Sequence, residues 1–305
     1  MFLGYALFIW PVRDQYGSGV RWRVAAMGAT AYLLALRLAY LYAMPIDPRL
    51  AALPGDAPGL PAGDRITVAL RRLGTMLLGP ERAGLNLPAL LCWTAAACAV
   101  FGVAQRVFDK TTAFRALLLF SVLPVFFRTG SVFGPATVLI AAWALALWLM
   151  TFALRWEWRL GAIICGAATA IFWWPGGWLP WIPVETHLPA LARALIFLPS
   201  QAVLVTPVAV IAAASYFARW RTDDRRAAAG AAATCAAVAG LGAFIAYLAG
   251  GLEITASGAA WLPLLPFIAW EMQKPGTPPP RSWGPVIYGC VVCYGLYFYS
   301  LAFSG

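Results

Sequence analysis

Residues 171–187, IFWWPGGWLPWIPVETH, end in an ionisable pair, Glu185 and His187, after a run holding four tryptophans, three prolines and two glycines. His187 is the one histidine of the chain, which excludes a multi-histidine metal or haem site. The carboxylates Asp56, Asp64, Glu81, Glu185 and Glu253 show no metal-ligand spacing, so no metal is expected. Cys290-x-x-Cys293 has the spacing of a redox or metal pair, but no His, Asp or second Cys pair accompanies it. GxGxxG, P-loop and nucleophile-elbow patterns do not occur in a suitable context. Asp47, in AMPIDPR, stands two residues before Arg49, an arrangement ordinary for a solvated loop pair.

The elements that hold these residues follow from composition. A soluble domain carries about 25% charged residues; here 11% are charged and 62% hydrophobic. Apolar runs of about 20 residues, enough to cross a hydrocarbon core, recur with few internal charges. The expected fold is all-α, a polytopic helical membrane protein of about nine transmembrane helices. The spans fall near 25–44, 87–105, 114–127, 132–154, 160–183, 200–218, 228–249, 256–272 and 285–303. With the N-terminus inside, fourteen Lys and Arg residues lie on the cytoplasmic side and seven outside, five of those seven in one long loop. The N-terminus is therefore expected in the cytoplasm and the C-terminus outside.

This topology, together with attraction to anionic lipid headgroups, explains the net charge of +10. The basic residues form no contiguous face of the kind that a nucleic acid requires, so none is expected as a partner. Residues 1–24 read as a cytoplasmic interfacial segment in which FLGYALFIWP is too short to span and is anchored by Trp10. Residues 25–303 read as a single transmembrane domain. Arg37, inside the first span, finds no acid in any span core, which argues against a proton-coupled transporter with a carboxylate relay.

The outer loop 45–88 is the longest connection, and loops of this length are usually functional. It opens rich in Pro, Gly and Asp, then Asp64 is placed to cap an amphipathic surface helix at about 64–78. Ile66, Leu70, Leu73, Met76 and Leu77 share one face of that helix, with Arg65, Arg71 and Arg72 largely off it. Later, Pro199 is expected to separate an interfacial helix, 190–198, from a span beginning near Ser200. A Pro-broken helix is expected after Glu253.

The opening stretch now has two readings. Tryptophan prefers the membrane interface, so Trp173, Trp174, Trp178 and Trp181 can form an aromatic belt on a kinked helix. Alternatively, Pro175 and Gly176-Gly177 break the helix within the bilayer, where irregular backbone is tolerated only if it is buried or lines a cavity. Trp173, Trp174, Trp178 and Glu185 would then form a cavity wall, with Glu185 and His187 at its mouth.

Several segments together resemble the GT-C membrane glycosyltransferases, the branch of the aminoarabinose and protein-mannosyl transferases. LPALLCWTAAACAVFGVAQRVFDKTTAFRALLLFSVLPVFFRTG is similar to the second and third spans of that family. SVFGPATVLIAAWALALWLM is similar to the next span, AIFWWPGGWLPWIPV to a Gly-Pro break, and GGLEITASGAAWLPLLPFIAW to a late Leu-Pro-rich helix. The resemblance implies transfer of a sugar from a polyprenyl-phosphate carrier on the outer face, in a bacterial inner (plasma) membrane. It implies Asp47 as the catalytic acid-base residue, and Arg49, Arg71, Arg72, Arg82, Arg128 and His187 as ligands of the carrier phosphate. The donor would be a polyprenyl-phosphate-linked sugar, with no other cofactor.

Two departures stand out. The family commonly has an acidic pair after the first span, where Asp47 adjoins Pro48, and an acid before the fourth span, where this chain reads Ser131-Val132-Phe133-Gly134-Pro135. The alternative is thus a catalytically inactive GT-C-derived structural or accessory subunit of a larger membrane protein complex.

Overall fold

A computed structural model describes residues 38, 62–131, 133–153, 190–205, 207–219, 226–248 and 254–271. Every regular element among them is helical. The expected spans 160–183 and 285–303, the Cys290/Cys293 pair and the segment 1–24 lie outside the described residues, as does the first span apart from Leu38. The nine-span count and the sidedness of the termini depend on those segments.

The first helix, α1 (Ala62–Leu78), agrees in extent, to within two residues, with the helix expected at about 64–78. Asp64 falls inside its first turn, so the expected cap is displaced; helix ends are the least sharply specified positions of such an element. Thr67, Val68 and Gly74 are buried against the neighbouring helices, while Ile66, Leu73, Met76 and Leu77 face outward with Met76 80% exposed. Leu70 departs from that outward face. It packs with Ala89, Phe133 and Val138.

Gly79, with φ 85°, ends α1 in the left-handed conformation that glycine adopts without strain. The chain reverses at once into α2 (Arg82–Val107), which begins five residues before the expected span. Pro88 lies inside α2 and has no N–H to give the carbonyl of Gly84. That carbonyl is turned toward Gly74, where a Cβ would stand 2.2 Å from the oxygen. A Cβ on Gly84 would in turn stand 1.9 Å from the Gly79 oxygen. Gly74, Gly79 and Gly84 therefore let the two backbones meet, with the Pro88 ring also lying against Gly74.

α2 is apolar around its circumference and supplies Ala96, Ala97, Ala99 and Ala104 to the core. Small residues allow close helix approach where lipid offers no hydrophobic drive between helices. The Phe108 N–H donates to the Ala104 oxygen at 3.0 Å, closing α2, and Asp109 then accepts from the Thr112 N–H at 2.8 Å to start α3 (Lys110–Val122). This two-residue turn makes α2 and α3 antiparallel neighbours.

The expected span 114–127 is not one helix. It is interrupted at Leu123, which is extended (φ −60°, ψ 130°), and α4 (Pro124–Ser131) follows. The Pro124 ring disfavours helical geometry at the preceding residue and suits the first position of a new helix. α5 (Pro135–Ala153) returns alongside α2, and the Thr137 hydroxyl donates to the Thr129 oxygen at the end of α4. At Gly102 a Cβ would stand 2.3 Å from Trp148 Nε1, so the indole of α5 lies directly on α2.

The expected break at Pro199 is also corrected. Pro199 is inside α6 (Ala190–Val205), and the next helix, α7 (Pro207–Arg219), begins at the following proline. The ring removes the backbone bond that the Leu195 oxygen would accept, but one lost bond does not end the helix, and Ser200 Oγ adds a bond to the Phe197 oxygen at 2.6 Å in the same turn. α8 (Arg226–Leu248) carries a buried alanine row, among it Ala229, Ala231, Ala232, Ala239 and Ala243. The Pro-broken segment after Glu253 is as expected: two 3₁₀ stretches, Ile254–Ala260 and Leu262–Leu264, lead into α9 (Leu265–Glu271). A 3₁₀ stretch rises about 2.0 Å per residue against about 1.5 Å for an α-helix, so these 18 residues reach roughly 32 Å, comparable to a hydrocarbon core of about 30 Å.

The bundle has two ends. At one, Phe108 stacks with Trp270 and meets Phe267 edge-on, Tyr216 packs on Phe267, and Arg219 of α7 ion-pairs with Glu271 of α9. The other holds the Gly79 turn, α4 and the start of α5, with Gly258 pressed against Val125 and Phe126. Arg106, Lys110, Arg219 and Arg226 stand at the Phe108 end, and Arg71, Arg72, Arg82 and Arg128 belong to elements at the Gly79 end. Between them α2 and residues 226–245 of α8 are long and apolar enough to cross a membrane.

Candidate functional site

Of the residues expected to do chemistry, Asp47, Arg49, Trp173, Trp174, Trp178, Glu185 and His187 lie outside the described residues. The structure places the other four. Arg71 and Arg72 stand on consecutive positions of α1, Arg82 opens α2, and Arg128 belongs to α4. Arg71 is half-buried and Arg72 is exposed, and both take part in interactions within the fold. Arg82 is exposed at the start of α2. The glycine contacts fix α1 against α2, so three guanidinium groups are carried on one rigid hairpin. Guanidinium groups hold phosphate by charge and by paired hydrogen bonds.

Around this hairpin lie buried polar groups that the sequence reading did not single out. Asn86 on α2 and Thr67 on α1 are buried and engaged, and Thr137 ties α5 to α4. Where the family resemblance calls for an acid before α5, Phe133 is instead buried beside Ala89 and Val138. That position serves packing in this chain.

A second polar group sits deeper on the same side of the bundle. Gln201 Oε1 accepts from Ser257 Oγ at 3.0 Å and from Trp261 Nε1 at 3.2 Å, joining α6 to the 3₁₀ segment. Gln201 is the sort of lone amide in an apolar run that usually has a partner, and this was the signal available in the sequence.

Among the described residues no group of three or more His, Cys, Asp or Glu could hold a metal ion. The chemistry on offer is cationic and hydrogen-bonding.

A sequence model of the family described as dolichyl-phosphate-mannose-protein mannosyltransferase matches residues 66–173. That stretch runs from α1 through α5 and makes up roughly a third of the chain, and over it the resemblance to GT-C membrane glycosyltransferases holds. Members of that family are integral membrane proteins, in keeping with the apolar α2 and α8. Neither the curated proteins nor the solved structures returned a match.

Proposed function

We propose that the chain is a membrane glycosyltransferase that takes a sugar from a polyprenyl-phosphate carrier on the outer face of the membrane. The observation that carries this reading is the position of Arg71, Arg72 and Arg82 on one hairpin within the segment similar to the mannosyltransferase family. These arginines, with Arg49, Arg128 and His187, bind the carrier phosphate. Asp47 orients the acceptor and takes its proton if the acceptor is a hydroxyl. The aromatic residues Trp173, Trp174 and Trp178, with Glu185, wall the cavity.

The test is transfer from a labelled polyprenyl-phosphate sugar in proteoliposomes. Asp47→Asn is expected to lower transfer at least about 100-fold, the scale of general acid–base contributions, with unchanged elution and thermal stability. Indifference to that change removes Asp47 from the site.

One observation favours a second reading. The buried Phe133 occupies a position where an acid would be expected to work. Under this reading the fold is retained as an accessory subunit of a membrane complex. A stoichiometric protein partner in gently extracted material, without retained polyprenyl phosphate and without transfer, would establish it.

A further inference from the structure

The Gln201 amide is held in one orientation by chemistry. An indole N–H can only donate, so the atom facing Trp261 Nε1 at 3.2 Å must be the amide oxygen; the reversed amide would set N–H against N–H. Ser257 Oγ occupies a second acceptor position on that oxygen at 3.0 Å. The backbone between the two donors is closely packed. Ser257 and Trp261 flank Gly258, where a Cβ would stand 2.6 Å from Val125 Cγ2 and 3.3 Å from Ile140 Cδ1.

With its oxygen fixed on both sides, the amide presents Nε2 and its two N–H bonds away from Ser257 and Trp261. Nε2 is buried and, among the described residues, has no acceptor. Interiors rarely leave such a donor unmet unless a ligand or a water completes it. The amide lies on the side of the bundle that holds α4, and Val125 of α4, against which Gly258 rests, is one helical turn from Arg128.

We infer that Gln201 is a ligand-binding residue whose side-chain N–H groups, aligned by Ser257 and Trp261, take an acceptor oxygen of a lipid-linked saccharide. The inference rests on the proposed carrier-dependent activity and adds a contact on α6, away from the arginine hairpin. The acceptor oxygen belongs to a sugar hydroxyl or to the carrier phosphate.

The full-length protein, labelled with ¹⁵N at glutamine side chains and held in detergent micelles, is titrated with polyprenyl phosphate and separately with polyprenyl-phosphate mannose. Binding of each is measured on the same samples by its effect on thermal stability. The Gln201 resonance is identified by its loss in Gln201→Met, a change of similar volume. The expected result is a shift of that resonance on saturation, with roughly tenfold weaker binding by Gln201→Met. A shift with the mannosylated probe alone assigns the contact to sugar, and a shift with both assigns it to phosphate. If the wild-type protein binds either probe while the Gln201 resonance stays still, the inference is overturned and the carrier reading stands. Binding of neither probe by the wild type overturns both. The resonance arm decides the matter even if Gln201→Met proves too unstable for affinity measurement.

Discussion

At the scale of single residues, the glycines of the α1–α2 hairpin are the least replaceable positions described. A methyl group at Gly84 would lie 1.9 Å from the Gly79 carbonyl oxygen, and backbone cannot step aside as a side-chain tip can. Gly84→Ala should therefore lower stability by about 1–3 kcal/mol or more, the range of overpacked sites. Gly240 is the control, since a Cβ there meets only the Ala260 Cβ at 3.7 Å. Gly240→Ala should be neutral or raise stability by up to about 1 kcal/mol, through the better helix propensity of alanine. Thermal unfolding of both variants in one detergent makes the comparison, and equal stability would deny the close backbone contact. The guanidinium groups were legible in the sequence because charge is conspicuous in an apolar chain. Gln201 was not, because its partners Ser257 and Trp261 arrive from more than fifty residues away.

At the scale of elements, proline was read correctly in one place and wrongly in two. After Glu253 the prolines do produce a broken helix, and Pro263 and Pro266 lie in it. Pro124 splits α3 from α4 in a run expected to be continuous, and Pro199 sits within a helix expected to break. The ring has the same local effect in all cases. What differs is whether the helix continues past the ring, and that depends on the packing of the whole element, which the sequence does not display. Pro199 is exposed, and alanine there would restore the missing N–H without meeting packed atoms. Pro199→Ala should thus change stability by less than about 1 kcal/mol, in the neutral or stabilising direction. A large loss of thermal stability would mean that the ring shapes the bundle. The surface helix at 62–78 was legible through its periodicity, but its buried side was not, because that side is formed by Thr67, Val68 and Gly74, not by its largest apolar residues.

At the scale of the whole molecule, the helical class followed from composition, and every regular element among the described residues is helical. Pro80 and Lys110 are both exposed and flank α2 at its opposite ends. Single cysteines at these positions, in a background lacking the native cysteines, should react with a membrane-impermeant maleimide from opposite faces of sealed vesicles. Labelling of both from one face would remove α2 from the set of spans. The candidate site was the least legible at this scale, since its described members come from α1, α2, α4 and α6, elements far apart in the chain.

The hairpin at Gly79 has one more consequence, and it is kinematic. Side chains between two helices act as a lubricating layer whose rotamers absorb small slides, and that layer is missing where Gly74 and Gly84 touch. α1 is therefore a rigid bracket on the end of α2. A tilt of α2 by a few degrees becomes a swing of the whole arm, carrying Arg71 and Arg72 through an arc and pressing or lifting Met76 and Leu77 at its rim. Membrane thickness and lateral tension act on the tilt of a spanning helix, and where α2 spans, α1 with Arg71 and Arg72 must follow that tilt as one body.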